Sequence, residues 1–165
     1  CRAAPEAASI GGSDTVKIEV TSTAFAHEGD IPARYTCNGE NASPPLAWQP
    51  GPNGTRTYAL IMDDPDAPMG TWVHWVAWNI TATSLAEAIQ PDASAPPQGT
   101  NSGKTTGYSG PCPPRPTGTH RYYIAVYALD TDLNLPASAT KKEILAVMEG
   151  HVLAQGELMG RYKQP

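Results

Sequence analysis

The chain reads as mostly β, a β-sandwich with a C-terminal helix and few short helices. Three observations predict it. Strand-like patterning recurs in four separate stretches, loops rich in Pro, Gly and Asn divide them, and nothing alternates strand and helix as βαβ units would. With 17 prolines and 15 glycines in 165 residues, long regular elements are interrupted early. The length suits one domain with a core of its own, assigned to 15–165 and preceded by a flexible tether over 1–14.

Val16 to Val20 alternates apolar and polar residues, as a half-exposed strand does. Thr57 to Met62 is more continuously apolar and reads as a buried strand. Thr71 to Ile80 carries apolar side chains on both faces, which marks a central strand. A period of two puts Trp72, His74, Val76 and Trp78 on one side of it and Val73, Trp75 and Ala77 on the other. Ser84-Leu85-Ala86-Glu87 has the form of a cap for a short helix ended by Pro91. The loop from Thr81 to Thr117 is long for a compact domain, so it has a role or holds structure of its own. His120 to Leu129 is a second central strand, with His120, Tyr122, Ile124 and Val126 on one face. Thr140-Lys141-Lys142-Glu143 has capping-box spacing and starts a helix running to about Met159. Ile144, Leu145, Met148, Val152 and Met159 form its apolar stripe and Gly160 stops it. Gly150 and Gly156 each weaken that helix by about 1 kcal/mol relative to Ala, so a break near Gly150 is compatible with the pattern.

A formal charge of -5 argues against a basic face for nucleic acid or anionic lipid. An anion bound here is held by a local site. No stretch is apolar for long enough to span a bilayer. Cys1, followed by a small, polar, Pro- and Gly-containing run, resembles the start of a processed bacterial lipoprotein, exported and lipid-anchored at the cell envelope; the competing reading is an arbitrary chain boundary. Setting Cys1 aside leaves Cys37 and Cys112, which in an exported protein form either a disulfide or two free thiols.

Two distant segments carry the polar chemistry. Asp63-Asp64-Pro65-Asp66-Ala67-Pro68 ends a strand on a stiff turn just before Trp72-Val73-His74-Trp75, and Gly118-Thr119-His120-Arg121-Tyr122 opens another strand. Taken alone, the aspartates suit turn capping, and a histidine among tryptophans suits a satisfied core position.

In that order the motifs Asp-Pro-Asp-x-Pro, Trp-x-His and Gly-x-His-Arg-Tyr resemble the phosphatidylethanolamine-binding protein family, also called the Raf kinase inhibitor family. The resemblance runs from about Val16 to Tyr162, and the segments Cys37 to Leu46 and Gly107 to Pro114 are similar to its bacterial branch. It implies a sandwich of two antiparallel sheets and a pocket in which Asp64, His74, Gly110, His120 and Tyr122 contact a ligand, with Pro68 and Trp72 as walls. It brings Asp64 to the two histidines and leaves Asp66 as a structural partner for Arg121. The expected ligand is a small anion, a phosphoryl group or a phospholipid head group such as phosphoethanolamine, bound without turnover, cofactor or metal. In such a pocket imidazole nitrogens donate to anionic oxygens, Tyr122 adds a hydroxyl, and Gly110 lets backbone N–H groups approach. Asp64 would repel an anion unless a cationic histidine neutralises it or it meets the ligand's amine.

Two other functions compete. Two histidines and a carboxylate also make a facial metal triad, and Ser109 with a histidine and Asp64 a hydrolytic one. No H-E-x-x-H is present, and Gly107-Tyr108-Ser109-Gly110 is not a nucleophile elbow. By analogy with animal relatives the chain could instead inhibit a protein target, an envelope protease rather than a cytoplasmic kinase.

Overall fold

Thr57–Asp64 is buried at nearly every position, with an apolar run from Tyr58 to Met62, and forms strand β5, which is covered on both faces. The structure, a computed structural model, describes residues 16–165, so the expected anchor at Cys1 and the expected tether over 1–14 lie outside the described residues. Ahead of β5 come four short strands: β1 (Val16–Lys17), β2 (Val20–Thr21), β3 (Gly29–Asp30) and β4 (Leu46–Trp48). After it come β6 (Trp72–Ile80), β7 (Ser84–Leu85), β8 (His120–Leu129), helix α1 (Lys141–Met148) and β9 (Val152–Tyr162).

The large sheet has the order β1-β9-β8-β5-β6, with β3 also paired to β9, and a small sheet runs β2-β4-β7. The long strands pair antiparallel, while β1 and β3 add to β9 in parallel. One face of the large sheet, carrying Tyr58, Leu60, Met62, Ile124 and Leu158, packs on Val20, Leu46, Trp48 and Leu85 of the small sheet. The opposite face, with Ala59, Ile61, Val76 and Trp78, packs on Ile144 and Met148 of α1. Burying each of Leu60, Ile124 and Leu158 contributes about 1.5–3 kcal/mol.

Three sequence expectations change. The helix predicted to reach Met159 stops at Met148, and Val152 to Tyr162 forms β9, the partner of β8 along its whole length. The capping box at Thr140 and Glu143 does form. Ala154, Leu158 and Gly160 are all buried and share a period of two, which the helical spacing of Met148, Val152 and Met159 had masked. Gly156 is required by the strand: a Cβ there would lie 1.8 Å from the Ile18 carbonyl oxygen, where the chain after β1 crosses β9. The predicted cap at Ser84 is instead β7, paired to β4. Val16 to Val20 divides between the two sheets as β1 and β2.

The long loop does hold structure. From Pro97 to Ser109 it runs beside β6: Trp78 N donates to Pro97 O, Gly99 N to Val76 O, Ser102 N to Val73 O and Ser109 N to His74 O. The buried Trp75 indole also donates to Gln98 Oε1 at 2.8 Å. An edge strand of nine residues is thereby covered.

Candidate functional site

Asp64 is the last residue of β5 and shares the face of Tyr58, Leu60 and Met62. His120 is the first residue of β8, and the pairing Asp63↔Tyr123 brings that strand start to the same end of the sheet. His74 arrives by a different route. The β5–β6 register jumps from Met62↔Trp75 to Asp63↔Val73, so His74 sits in a bulge. Strict alternation grouped it with Val76 and Trp78, but the extra residue turns it to the other side, against Tyr122.

The four side chains meet there and all are buried. The His74 and Tyr122 rings pack edge to face at 5.2 Å, and His120 lies 6.4 Å from Tyr122 in a stacked orientation. His120 Nδ1 donates to Asp64 Oδ2 at 2.6 Å, with 2% and 4% of the two side chains exposed. Asp64 Oδ1 accepts the Asp66 backbone N–H at 2.7 Å, so both carboxylate oxygens are engaged. Asp66 turns outward to Arg121, which donates to it from Nε at 2.9 Å, from its second terminal nitrogen at 2.8 Å and from its backbone N at 2.9 Å. That guanidinium holds the Asp66 carboxyl below the usual carboxylate range.

One segment, 109–117, fixes both imidazoles. His74 Nδ1 donates to Ser109 O at 2.6 Å, and His120 Nε2 meets Thr117 Oγ1 at 2.8 Å. Thr117 Oγ1 is also 2.6 Å from Pro114 O. Its single hydroxyl hydrogen therefore has two possible partners within reach, Pro114 O and His120 Nε2. The segment is sewn to residues 35–41. Cys112 is disulfide-bonded to Cys37, Cys37 N donates to Pro111 O, and Gly110 N donates to Asn41 Oδ1 at 2.8 Å. The glycine at 110 is needed because a Cβ would lie 2.2 Å from Tyr35 O. Its N–H is bonded to Asn41, and the missing Cβ is what permits this close chain packing.

Sequence reasoning did not single out Thr117 or Asn41, nor Ser109 as a main-chain acceptor. Each acts through one short contact that leaves no pattern in the residue order. Ser109 meets His74 through its carbonyl, and its hydroxyl has no bond to either ring. Among the described residues no three His, Cys, Asp or Glu side chains form a group able to hold a metal ion.

Two polar atoms are left over. His74 Nε2 and the Tyr122 hydroxyl have no hydrogen-bond partner among the described residues, and neither is a sealed buried atom. Burial pushes the His74 imidazole below its ordinary value, outweighing the Ser109 carbonyl and Asp64, so near neutral pH Nε2 carries a lone pair. Burial, then the Asp64 charge, pushes the Tyr122 phenol up, so it stays a donor. Trp72, which pairs with Asp64 across β5 and β6, is exposed, as are Pro68 and Met69 in the connecting turn, Met69 almost wholly.

Comparison with known proteins assigns the fold to a family. The family model "Phosphatidylethanolamine-binding protein" matches residues 21–163. The chain belongs to that family. A UPF0098 protein of Methanothermobacter thermautotrophicus is 50% identical over 147 residues, covering 86% of this chain and 95% of its own. Another from Pyrococcus horikoshii is 45% identical over 160 residues, covering 93% and 80%. Among solved structures, a phosphatidylethanolamine-binding protein homologue of Chlamydia trachomatis superposes with a TM-score of 0.84 at 37% identity, over 92% of this chain and all of its own, 100%. Escherichia coli YbcL, described as a new member of the mammalian PEBP family, gives 0.84 at 27% identity over 91% and 100%. Family membership accounts for the two-sheet fold with one helix, and the UPF0098 name carries no specific activity.

Proposed function

We propose that the protein binds, without turning it over, a small phosphoryl-type anion in the pocket of Asp64, His74, His120 and Tyr122, with Pro68 and Trp72 as rim. The observation that carries this is the pair of unused polar atoms, His74 Nε2 and the Tyr122 hydroxyl, beside a carboxylate whose oxygens are both engaged. Asp64 already accepts from His120 and from the Asp66 N–H, so its charge is shared with two protein donors before an anion arrives. Because Asp64 is only 3% exposed and fully bonded, the ligand's amine is not what it recognises. A phosphoethanolamine head group is then held through its phosphate.

His74 gives the site a proton requirement. Its Nε2 accepts a hydrogen from a monoprotonated phosphate ester, or must itself take up a proton to donate to the dianion. Affinity should therefore fall as pH rises through the ester's second pKa, about 6. Calorimetric titration with phosphoethanolamine tests the reading. One-site heat that weakens with rising pH and vanishes in His74→Ala supports it; no heat with the wild type, or unchanged heat in the variant, overturns it.

A further inference from the structure

One roomy concavity among the described residues lies away from the histidines. It lies on the opposite face of the large sheet, a cleft of about 800 Å³ between the turn at 100–104 and one side of α1. That volume falls within the range of small-ligand sites, about 300–1,000 Å³. Three of the chain's five lysines, Lys104, Lys141 and Lys142, line it, in a protein whose formal charge is -5. Lys141 is committed to Asp63 at 2.5 Å, but Lys104 and Lys142 make no ion pair among the described residues, and the only carboxylate in the lining is Glu149.

Both walls are fixed before any ligand arrives. Asn101, 3% exposed, accepts from Gly103 N and Thr105 N and donates to Thr105 Oγ1 and Gly107 O, which holds the turn that presents Lys104. Thr100 N donates to Ala139 O at 2.8 Å, tying that turn to the residues entering α1. Ser102 Oγ accepts the Val73 N–H at 2.8 Å, so its own hydroxyl hydrogen remains to be given. The rest of the lining is apolar, with Val73, Leu145 and Ala146 side by side with these donors. The helix N-terminus is not the attraction, since the Glu143 carboxylate already occupies it at Thr140 N, 2.9 Å.

We propose that this cleft is a second ligand site, taking a small amphiphilic anion whose acidic head meets Lys104, Lys142 and Ser102 and whose short apolar body lies on Val73, Leu145 and Ala146. Preorganised walls reduce the ordering cost of binding, and two ammonium groups supply the donors that the histidine pocket lacks. The site stands independently of the pocket at His74, because it uses none of its side chains.

Phenyl phosphate is a suitable probe, titrated into the isotope-labelled full chain while backbone amide signals are followed by NMR. The expected result is saturable shifts at Ser102, Lys104, Lys142 and Leu145, with affinity lowered at least about tenfold in the double variant Lys104→Glu, Lys142→Glu. Ala146→Trp, which fills the cleft without touching charge, should abolish the same shifts, and inorganic phosphate should bind there more weakly than the phenyl ester. Overlay of each variant's remaining signals with the wild type shows that the fold is kept. Shifts confined to His74, His120 and Tyr122, cleft shifts that both variants leave unchanged, or phosphate binding as tightly as its ester would each overturn the proposal.

Discussion

Asp63 and Asp64 are neighbours on β5 that face opposite sides of one sheet, and their surroundings differ in kind. Asp64 lies 4% exposed against His120, with every carboxylate oxygen bonded, whereas Asp63 meets Lys141 in a pair whose side chains are 18% and 31% exposed. The same split continues one strand over, where His74 faces the buried pocket and Val73 lines the open cleft. Burial makes the first face a place where the position of single hydrogens matters. Solvent makes the second a place where summed charge matters.

The largest test of that contrast is to remove each carboxylate in turn. Asp64→Ala leaves two donors, the His120 Nδ1–H and the Asp66 N–H, without their acceptor, at about 1–3 kcal/mol each. Asp63→Ala removes a partly solvated ion pair and should cost about 1 kcal/mol or less. Denaturant unfolding of both variants measures the difference, and equal losses would show that the two faces are not the distinct environments described.

Next in size is the disulfide. Closing a loop between Cys37 and Cys112, 75 residues apart, stabilises by about 4 kcal/mol in the chain-entropy account. Its local consequence is sharper, since it anchors the segment whose Ser109 carbonyl and Thr117 hydroxyl orient both histidines. Cys37→Ser with Cys112→Ser should lower stability by that order and also weaken phosphoethanolamine binding, while leaving phenyl phosphate shifts at Lys142 and Leu145 in place. Equal weakening at both sites would assign the bridge a global role only.

What was legible in the sequence follows the same division. The strands β5, β6 and β8 declare themselves because both faces are buried and their residues are β-branched or aromatic. The pocket's four side chains could be gathered through motifs, since each sits at a strand end or beside a proline. β9 was hidden because Ile144, Met148, Val152 and Met159 fit a helical stripe across a real helix and a real strand. Only the tertiary demand at Gly156, a close crossing by residue 18, marks the second half as sheet. The bulge at His74 was equally unreadable, because it is set by pairing with β5 and not by the residues of β6 alone. The lysine cleft draws Lys104 and Lys141 from segments that no local pattern connects.

The smallest expected effect is the most specific to the buried face. Burial holds the His74 imidazole below its ordinary value of about 6.5, so as pH falls through that value the unfolded chain takes up a proton that the folded one refuses. The sign is a loss of stability toward acid, with a slope of at most about 1.4 kcal/mol per pH unit from this group, ending once the folded ring protonates. His74→Asn keeps an N–H at the Nδ1 position for the Ser109 carbonyl and removes the titration. The variant's stability between about pH 7.5 and 5.5 should therefore fall less steeply than the wild type's. Parallel slopes would mean that the ring is solvated enough to charge freely, and an open, solvated His74 would no longer distinguish this pocket from the lysine cleft behind it.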